Sequence, residues 1–199
     1  MSRFAQLAFT PGVQAHQRAH GSDRAYRRML AGSQEADRVG PDERAFVEQR
    51  DSFYLATVSE TGWPYIQHRG GPPGFLHVID ERTLGFADFR GNRQYITRGN
   101  LDHDDRVSLF LMDYANQVRL KIFGRARVIE DDQSLAVAGY AARVERAMLI
   151  DVEGLSWNCP QHIPQLFPRD AVEHALGHLQ NRVAELEREN RRLREAVSR

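Results

Sequence analysis

Two arginines flank a Gly-Asn pair where an apolar run ends, in residues 86–94, FADFRGNRQ. The pattern predicts a helix that begins here, over residues 92–100. The amides and the dipole at a helix N-terminus favour an anion, and guanidinium groups can hold a phosphate through paired hydrogen bonds. The segment therefore predicts a phosphate site, although arginine and asparagine are also common in ordinary surface turns.

A second candidate is the polar run Gln67, His68 and Arg69, which ends a strand-like segment just before Gly70 and Gly71. Glycine in such a place lets the backbone approach a ligand closely. The alternative is a hairpin end whose side chains are solvated, and the run taken alone favours that alternative.

Three other patterns could carry chemistry, but each lacks a necessary part. Cys159 and His162 could form a nucleophile and base, yet they lie in a proline-containing segment with no evident third group. His174 and His178 have the spacing of a metal site, but they fall on the outer face of a predicted helix. The acidic runs lack the glycine and the spacing of a calcium loop; these are residues 102–105 and 131–132. We predict no metal site and assign no catalytic residue.

The composition limits the class of protein. A chain of 199 residues suits one domain with appendages. Because 27 cationic residues, of which only Lys121 is a lysine, balance 27 anionic ones, no overall field favours nucleic acid or an anionic membrane. The single cysteine, Cys159, excludes an intrachain disulfide and a cysteine cluster for metal, and it favours a cytoplasmic protein. The sequence indicates neither a signal peptide nor a membrane span.

The middle of the chain has the pattern of a small β-barrel. After an arm with one predicted helix near residues 23–31, and a helix over residues 41–49, apolar and β-branched runs alternate with turn residues. Six short strands with one helix among them favour a barrel over a doubly wound sheet. The predicted strands are residues 53–58, 64–69, 75–79, 83–88, 107–113 and 119–130. Beyond them the pattern predicts a helix over 134–146, a possible strand over 148–152 and an irregular segment over 156–162.

The C-terminal tail has the apolar repeat of a coiled coil, with spacings of three and four residues. Asn190 at an a position favours two strands in a fixed register. In a parallel pair Arg182 would face Glu187 of the other chain, and Glu189 would face Arg194. We therefore predict a parallel homodimeric coiled coil over residues 168–199; the alternative is an amphipathic helix that packs on its own domain. The apolar positions are Leu176, Leu179, Val183, Leu186, Leu193 and Val197.

Three segments together resemble the pyridoxamine 5'-phosphate oxidase-like, FMN-binding split-barrel family. They are residues 63–71 (WPYIQHRGG), 84–94 (LGFADFRGNRQ) and 119–124 (RLKIFG), and residues 157–162 (WNCPQH) resemble one subgroup. The resemblance implies a mainly β split barrel with flanking helices over residues 46–167, after a helical arm over residues 1–45. It also implies a homodimer that binds FMN between its subunits.

The resemblance assigns residues to the FMN site by position. Side chains beside the flavin ring and the ribityl chain would be those of Gln67, His68 and Arg69, with Ala87 and Asp88 along the next strand. The phosphate would be held by Arg90, Asn92, Arg93 and Gln94. The second subunit would close the site with Trp157 and Asn158.

The resemblance implies flavin chemistry but not the namesake reaction. True oxidases of the family carry an Arg-x-His pair near the C-terminus that binds the substrate phosphate, and no equivalent follows Trp157 here. We expect an FMN-dependent oxidoreductase that passes hydride or electrons from a nicotinamide or other donor to a small acceptor or to oxygen. The alternatives are a flavin-binding sensor or interaction protein, and a barrel that has exchanged FMN for deazaflavin or haem.

Overall fold

The computed structural model describes residues 2–31, 34–157 and 160–197. Seven antiparallel strands form one curled sheet, a split half-barrel, in the order β2-β1-β5-β6-β7-β4-β3. The prediction of a mainly β split barrel is therefore confirmed. The strands are β1 Ser52–Val58, β2 Pro64–Gly70, β3 Leu76–Val78, β4 Thr83–Phe89, β5 Arg106–Asp113, β6 Val118–Glu130 and β7 Val144–Trp157.

Six helices accompany the sheet in the described residues. The chain divides into two compact units, Met1–Asp113 with Val118–Gln161, and Tyr114–Gln117 with His162–Arg199. The first contains the barrel and five helices, and the second contains the long C-terminal helix. No helix in the described part of the chain is long and apolar enough to cross a membrane. The helices are α1 Arg3–Ala8, α2 Pro11–Ala19, α3 Asp23–Leu30, α4 Pro41–Glu48, α5 Ile96–Leu101 and α6 Arg169–Val197.

Alternating side chains place the barrel core on one face of the sheet. In β1, Phe53 and Leu55 are buried while Tyr54 between them is exposed, as expected when successive side chains point to opposite faces. The β1–β2 turn closes at Gly62, whose φ of 85° suits glycine. The largest core side chains also include Phe75, Phe86, Leu109, Leu111, Leu120, Ile122, Met148 and Ile150.

The N-terminal arm contains three short helices rather than the single one predicted. Asp37 fixes the first of them on the barrel, because its carboxylate accepts hydrogen bonds from the α1 amides of Arg3 and Phe4 and from the β7 amide of Leu155. The ring of Phe4 stacks on Phe123 at 4.3 Å between centroids. These contacts attach the start of the arm to the barrel.

The predicted helix over residues 134–146 is wrong. Residues 131–143 form turns and irregular chain, and β7 begins at Val144 and runs for 14 residues. The reason is tertiary: β7 pairs with β6 on one side and with β4 on the other, and these backbone hydrogen bonds override a weak local helix preference.

The helix predicted over residues 92–100 begins later, at Ile96. Arg93 and Tyr95 have φ values of 62° and 56°, and a residue with positive φ interrupts a right-handed helix. The residues before Ile96 therefore form a loop.

Candidate functional site

A buried carboxylate joins two strands that are not neighbours in the sheet. Arg69 of the edge strand β2 donates to Asp88 of β4, with 2.6 Å between Nη1 and Oδ1. Arg146 of β7 donates to the other oxygen of Asp88 at 3.2 Å. All three side chains are mostly buried, with 10–13% of each exposed. This ion triad spans the opening of the half-barrel.

Arg146 extends the triad into a network of alternating charge. Its Nε donates to Glu130 at 3.0 Å, and its Nη2 lies 3.5 Å from Glu145. Arg98 of α5 also donates to Glu130, at 2.7 Å. The hydrogen bond from Arg98, with the nearby charge of Arg146, lowers the pKa of Glu130 below its ordinary value, and the same contact raises the pKa of Arg98. These groups are therefore charged at neutral pH.

Two hydrogen bonds between uncharged side chains attach helix α5 to the sheet beside the triad. Thr97 donates to the side chain of Gln67 at 2.8 Å. Asn100 donates to Thr57 of β1 at 2.9 Å, and both of these residues are buried. The helix is thereby fixed against β1 and β2, and it holds the loop that precedes it.

That loop, residues 90–95, holds its arginines in a constrained backbone. The left-handed conformations of Arg93 and Tyr95 each cost of order 1–3 kcal/mol, and such strain is common where a backbone clamps a ligand. Arg93 Nε lies 3.4 Å from the Tyr95 hydroxyl, which donates to Glu145 at 3.3 Å. The contact with Tyr95 raises the pKa of the exposed Arg93 guanidinium. The side chain of Asn92 accepts from the amide of Gln94.

The triad, α5 and the loop line an open cleft. Four arginines and two carboxylates line it, so its charge is positive and suits an anion. The lining residues are Gln67, Arg69, Asp88, Phe89, Gly91, Asn92, Arg93, Tyr95, Thr97, Arg98, Glu145 and Arg146.

The cleft collects five of the side chains that the sequence proposed, namely Gln67, Arg69, Asp88, Asn92 and Arg93. Two more lie on the same loop. Arg90 pairs with Glu145 at 3.7 Å, and Gln94 is exposed.

Three of the proposed residues that the structure describes fall outside the cleft. His68 points to the outer face, where its ring packs against Tyr54 at 5.7 Å, because it alternates with Gln67 and Arg69 along β2. Ala87 is buried on the face of β4 opposite to Asp88. Trp157 lies at the far end of β7, where its Nε1 donates to Glu43 at 2.7 Å. Asn158 lies outside the described residues, as does Cys159.

Sequence reasoning missed four of the six members of the charge network. Arg146 and Glu145 were assigned to a helix, whereas the structure pairs Arg146 with Asp88 across the β4–β7 ladder. The continuous apolar run over residues 147–150, followed by alternation from Ile150 to Glu153, was a signal for a strand. Nothing local indicated which strand it would join. The other lining residues outside the proposed set are Phe89, Gly91, Tyr95, Thr97 and Arg98.

Comparison with known proteins identifies the family. Residues 40–176 match the family model described as pyridoxamine 5'-phosphate oxidase. The chain belongs to this family. The predicted resemblance is confirmed, and the match includes the whole of the cleft. No curated protein matches the chain.

Several solved structures have a similar fold at low identity. A putative pyridoxamine 5'-phosphate oxidase from Lactobacillus delbrueckii is 19% identical, with a TM-score of 0.47 over 63% of this chain and 97% of that one. An FMN-binding protein from Syntrophomonas wolfei is 12% identical, with a TM-score of 0.46 over 73% and 96%. A conserved hypothetical protein from Mycobacterium tuberculosis is 17% identical, with a TM-score of 0.46 over 69% and 97%.

The triad predicts a large effect of replacing Asp88 with Asn. The amide would keep the shape of the side chain but leave two buried guanidinium groups without their shared anion, so we expect a loss of about 3–5 kcal/mol in the free energy of unfolding. Urea denaturation followed by circular dichroism measures this loss.

The matched control is Asp151→Asn, which breaks the exposed pair with Arg127. Exposed pairs contribute less than about 1 kcal/mol, so this variant should unfold almost as the parent does. Similar small losses in both variants would show that the triad does not hold the barrel closed.

Proposed function

We propose that this protein is a flavoprotein that binds FMN in the cleft. The observation that carries the proposal is an unsatisfied donor: Arg69 lines the cleft, and its buried Nε has no hydrogen-bond partner among the described residues. A buried donor without a partner costs free energy. An acceptor on a bound ligand would satisfy it.

The loop residues fit the phosphate end of FMN. Arg93 is exposed at the cleft and has only a weak contact with a neutral hydroxyl, so its guanidinium can pair with a phosphate without breaking an ion pair. Arg69 and Arg146 are already paired with Asp88. Both side chains line the cleft, where their positive charge favours a bound anion. We therefore assign the phosphate to Arg93 and Asn92, with Arg90 beside them.

We further propose that the barrel forms a homodimer through the outer face of β2, β1 and β5. Ile66 is 64% exposed and Tyr54 is 40% exposed. The register aligns Tyr54 with His68 on one side and with Phe110 on the other, and it aligns Ile66 with Ala56. Exposed apolar side chains grouped on one face in this way are a feature of interaction surfaces.

A second copy would also explain how Trp157 reaches a cleft. Within one chain, the β7 residues between Arg146 and Trp157 span about 35 Å at the usual rise per residue. We therefore propose that Trp157 closes the cleft of another subunit, which is the role that the family resemblance implied for it and for Asn158.

The bound FMN would supply hydride or single-electron transfer. The chain would contribute binding, orientation and positive charge. We propose an oxidoreductase that accepts electrons from a nicotinamide or another donor and delivers them to a small acceptor or to oxygen. The cytoplasmic location indicated by the single cysteine stays a prediction.

The alternative is a flavin-binding sensor or interaction protein. The observation that favours it is the exposed apolar stripe of α6, which offers a surface for dimerisation or for contact with a partner. Both functions require the same FMN site.

The phosphate assignment predicts that Arg93→Ala weakens FMN binding by about 1–3 kcal/mol, the value of one charge-assisted contact. Affinity for riboflavin, which lacks the phosphate, should not change. Fluorescence titration with each flavin measures the two affinities. Arg127→Ala removes an exposed arginine away from the cleft and should change neither. An equal loss for both flavins would contradict the assignment of Arg93 to the phosphate.

The function itself is tested by the spectrum of the purified protein and by its turnover. We expect the absorption bands of oxidised flavin, and steady-state oxidation of NADH or NADPH when a small acceptor or oxygen is present. Bound FMN with negligible turnover across a donor screen would favour the sensor. A Soret band without flavin bands would overturn the FMN proposal and indicate haem.

The barrel dimer predicts that Ile66→Asp separates two subunits, because a carboxylate would be buried in the apolar face. The measurement is mass by light scattering, in a chain that also carries Leu186→Asp to remove any contribution of α6. The single variant Leu186→Asp should remain dimeric. A dimer that persists in the double variant would exclude this face as the interface.

A further inference from the structure

The C-terminal helix α6 exposes its entire apolar stripe. It is one uninterrupted helix of 29 residues, and none of its residues is buried. The six apolar side chains of the predicted seam are between 47% and 87% exposed. Burial of Leu and Val side chains is favourable. An exposed stripe of them therefore indicates a surface that is covered by a partner.

We propose that α6 pairs in parallel and in register with α6 of a second copy of this chain. This surface is separate from the FMN cleft, and the proposal does not depend on flavin binding. The apolar repeat of one α6 would pack against the same repeat of the other α6.

The residue types at the seam favour two strands. Val183 and Val197 occupy two of the four a positions, with Leu176 and Asn190 at the other two, and leucines occupy the d positions 179, 186 and 193. β-Branched residues at a with leucine at d are the combination that suits a parallel pair of helices. Leucine at a with a β-branched residue at d would instead favour bundles of more than two helices.

Asn190 determines the direction of the pair. In a parallel pair in register, a residues meet a residues, so the two Asn190 side chains face each other and can exchange a hydrogen bond. In an antiparallel pair a residues meet d residues. Each amide would then lie against leucine without a partner, and burying a polar group in that way is unfavourable.

Charges beside the seam agree with this register. Arg182 at g faces Glu187 at e of the other chain, and Glu189 at g faces Arg194 at e. Within the chain Arg182 contacts Glu185 at 3.1 Å, with both side chains more than half exposed. A weak contact of this kind does not prevent Arg182 from pairing across the interface.

Disulfide trapping in the full-length chain tests the pairing directly. Cys159→Ser removes the native thiol, and Asn190→Cys then places one thiol at the seam. Its matched control is Arg191→Cys, one residue further on, at the outward b position. We expect Asn190→Cys to form a disulfide-linked dimer at least about tenfold faster than the control under a glutathione redox buffer, because only a and d residues meet across a parallel pair. A non-reducing gel follows both reactions.

A charge exchange tests the register separately. In the Asn190→Cys chain, Arg182→Glu would oppose Glu187 and slow the linking, and the further change Glu187→Arg would restore it. Glu185→Arg, at an outward position, serves as the control and should leave the rate unchanged. The far-ultraviolet circular dichroism of each variant shows that the helix is retained.

Equal slow linking of the 190 and 191 variants would overturn the proposal. So would linking at position 190 that is indifferent to both charge changes, because the two helices would then meet without the proposed register. Neither result would bear on FMN binding, which is measured independently in the same proteins.

Discussion

The contact of Asp88 with two arginines determines how this barrel closes and what its opening can bind. The sheet has two edges, and hydrogen bonding between strands stops there. Asp88 bridges the opening by accepting from Arg69 on β2 and from Arg146 on β7. Since buried charges are tolerated only when paired, each member of the triad fixes the other two. Arg146 also pairs with Glu130 and Glu145, so the triad is one part of a larger network of alternating charge beside the cleft.

The arginines of the cleft fall into a paired, buried group and an exposed one. Arg69 and Arg146 are mostly buried and held by Asp88, so removal of either would disturb the barrel. Arg93 is exposed on a loop whose backbone conformation is fixed by its surroundings, and it has no comparable anionic partner within hydrogen-bond distance among the described residues. The side chain that can engage a phosphate is therefore separate from the side chains that maintain the site, although all of them line one surface.

Strand β2 connects the proposed cofactor site with the proposed subunit interface. Its inner face gives Gln67 and Arg69 to the cleft, and its outer face gives Ile66 and His68 to the apolar surface. A period of two residues makes this division unavoidable. A cofactor in the cleft and a second subunit on the outer face would thus contact the same short strand. A shift of β2 on flavin binding would therefore act directly on the subunit interface.

The sequence by itself determined what depends on local pattern. Six strands and their turns followed from alternation and from turn residues, the α6 helix from its apolar repeat, and a phosphate site from the arginines around Gly91 and Asn92. Family resemblance added the split barrel and FMN. The strand and helix predictions succeed because neighbouring residues report directly on backbone preference, while the phosphate site stays a prediction.

Only the tertiary structure decided which distant residues meet. The helix predicted over residues 134–146 was wrong because β7 extends between two strands that supply its hydrogen bonds, and Arg146 consequently meets Asp88, 58 residues away in sequence. His68 was placed with Gln67 and Arg69 by position, but the pleat turns it to the other face. Strand pairing and side-chain direction are set by long-range backbone contacts, which no local pattern encodes, and so the chemistry of the cleft appears only when the chain is folded.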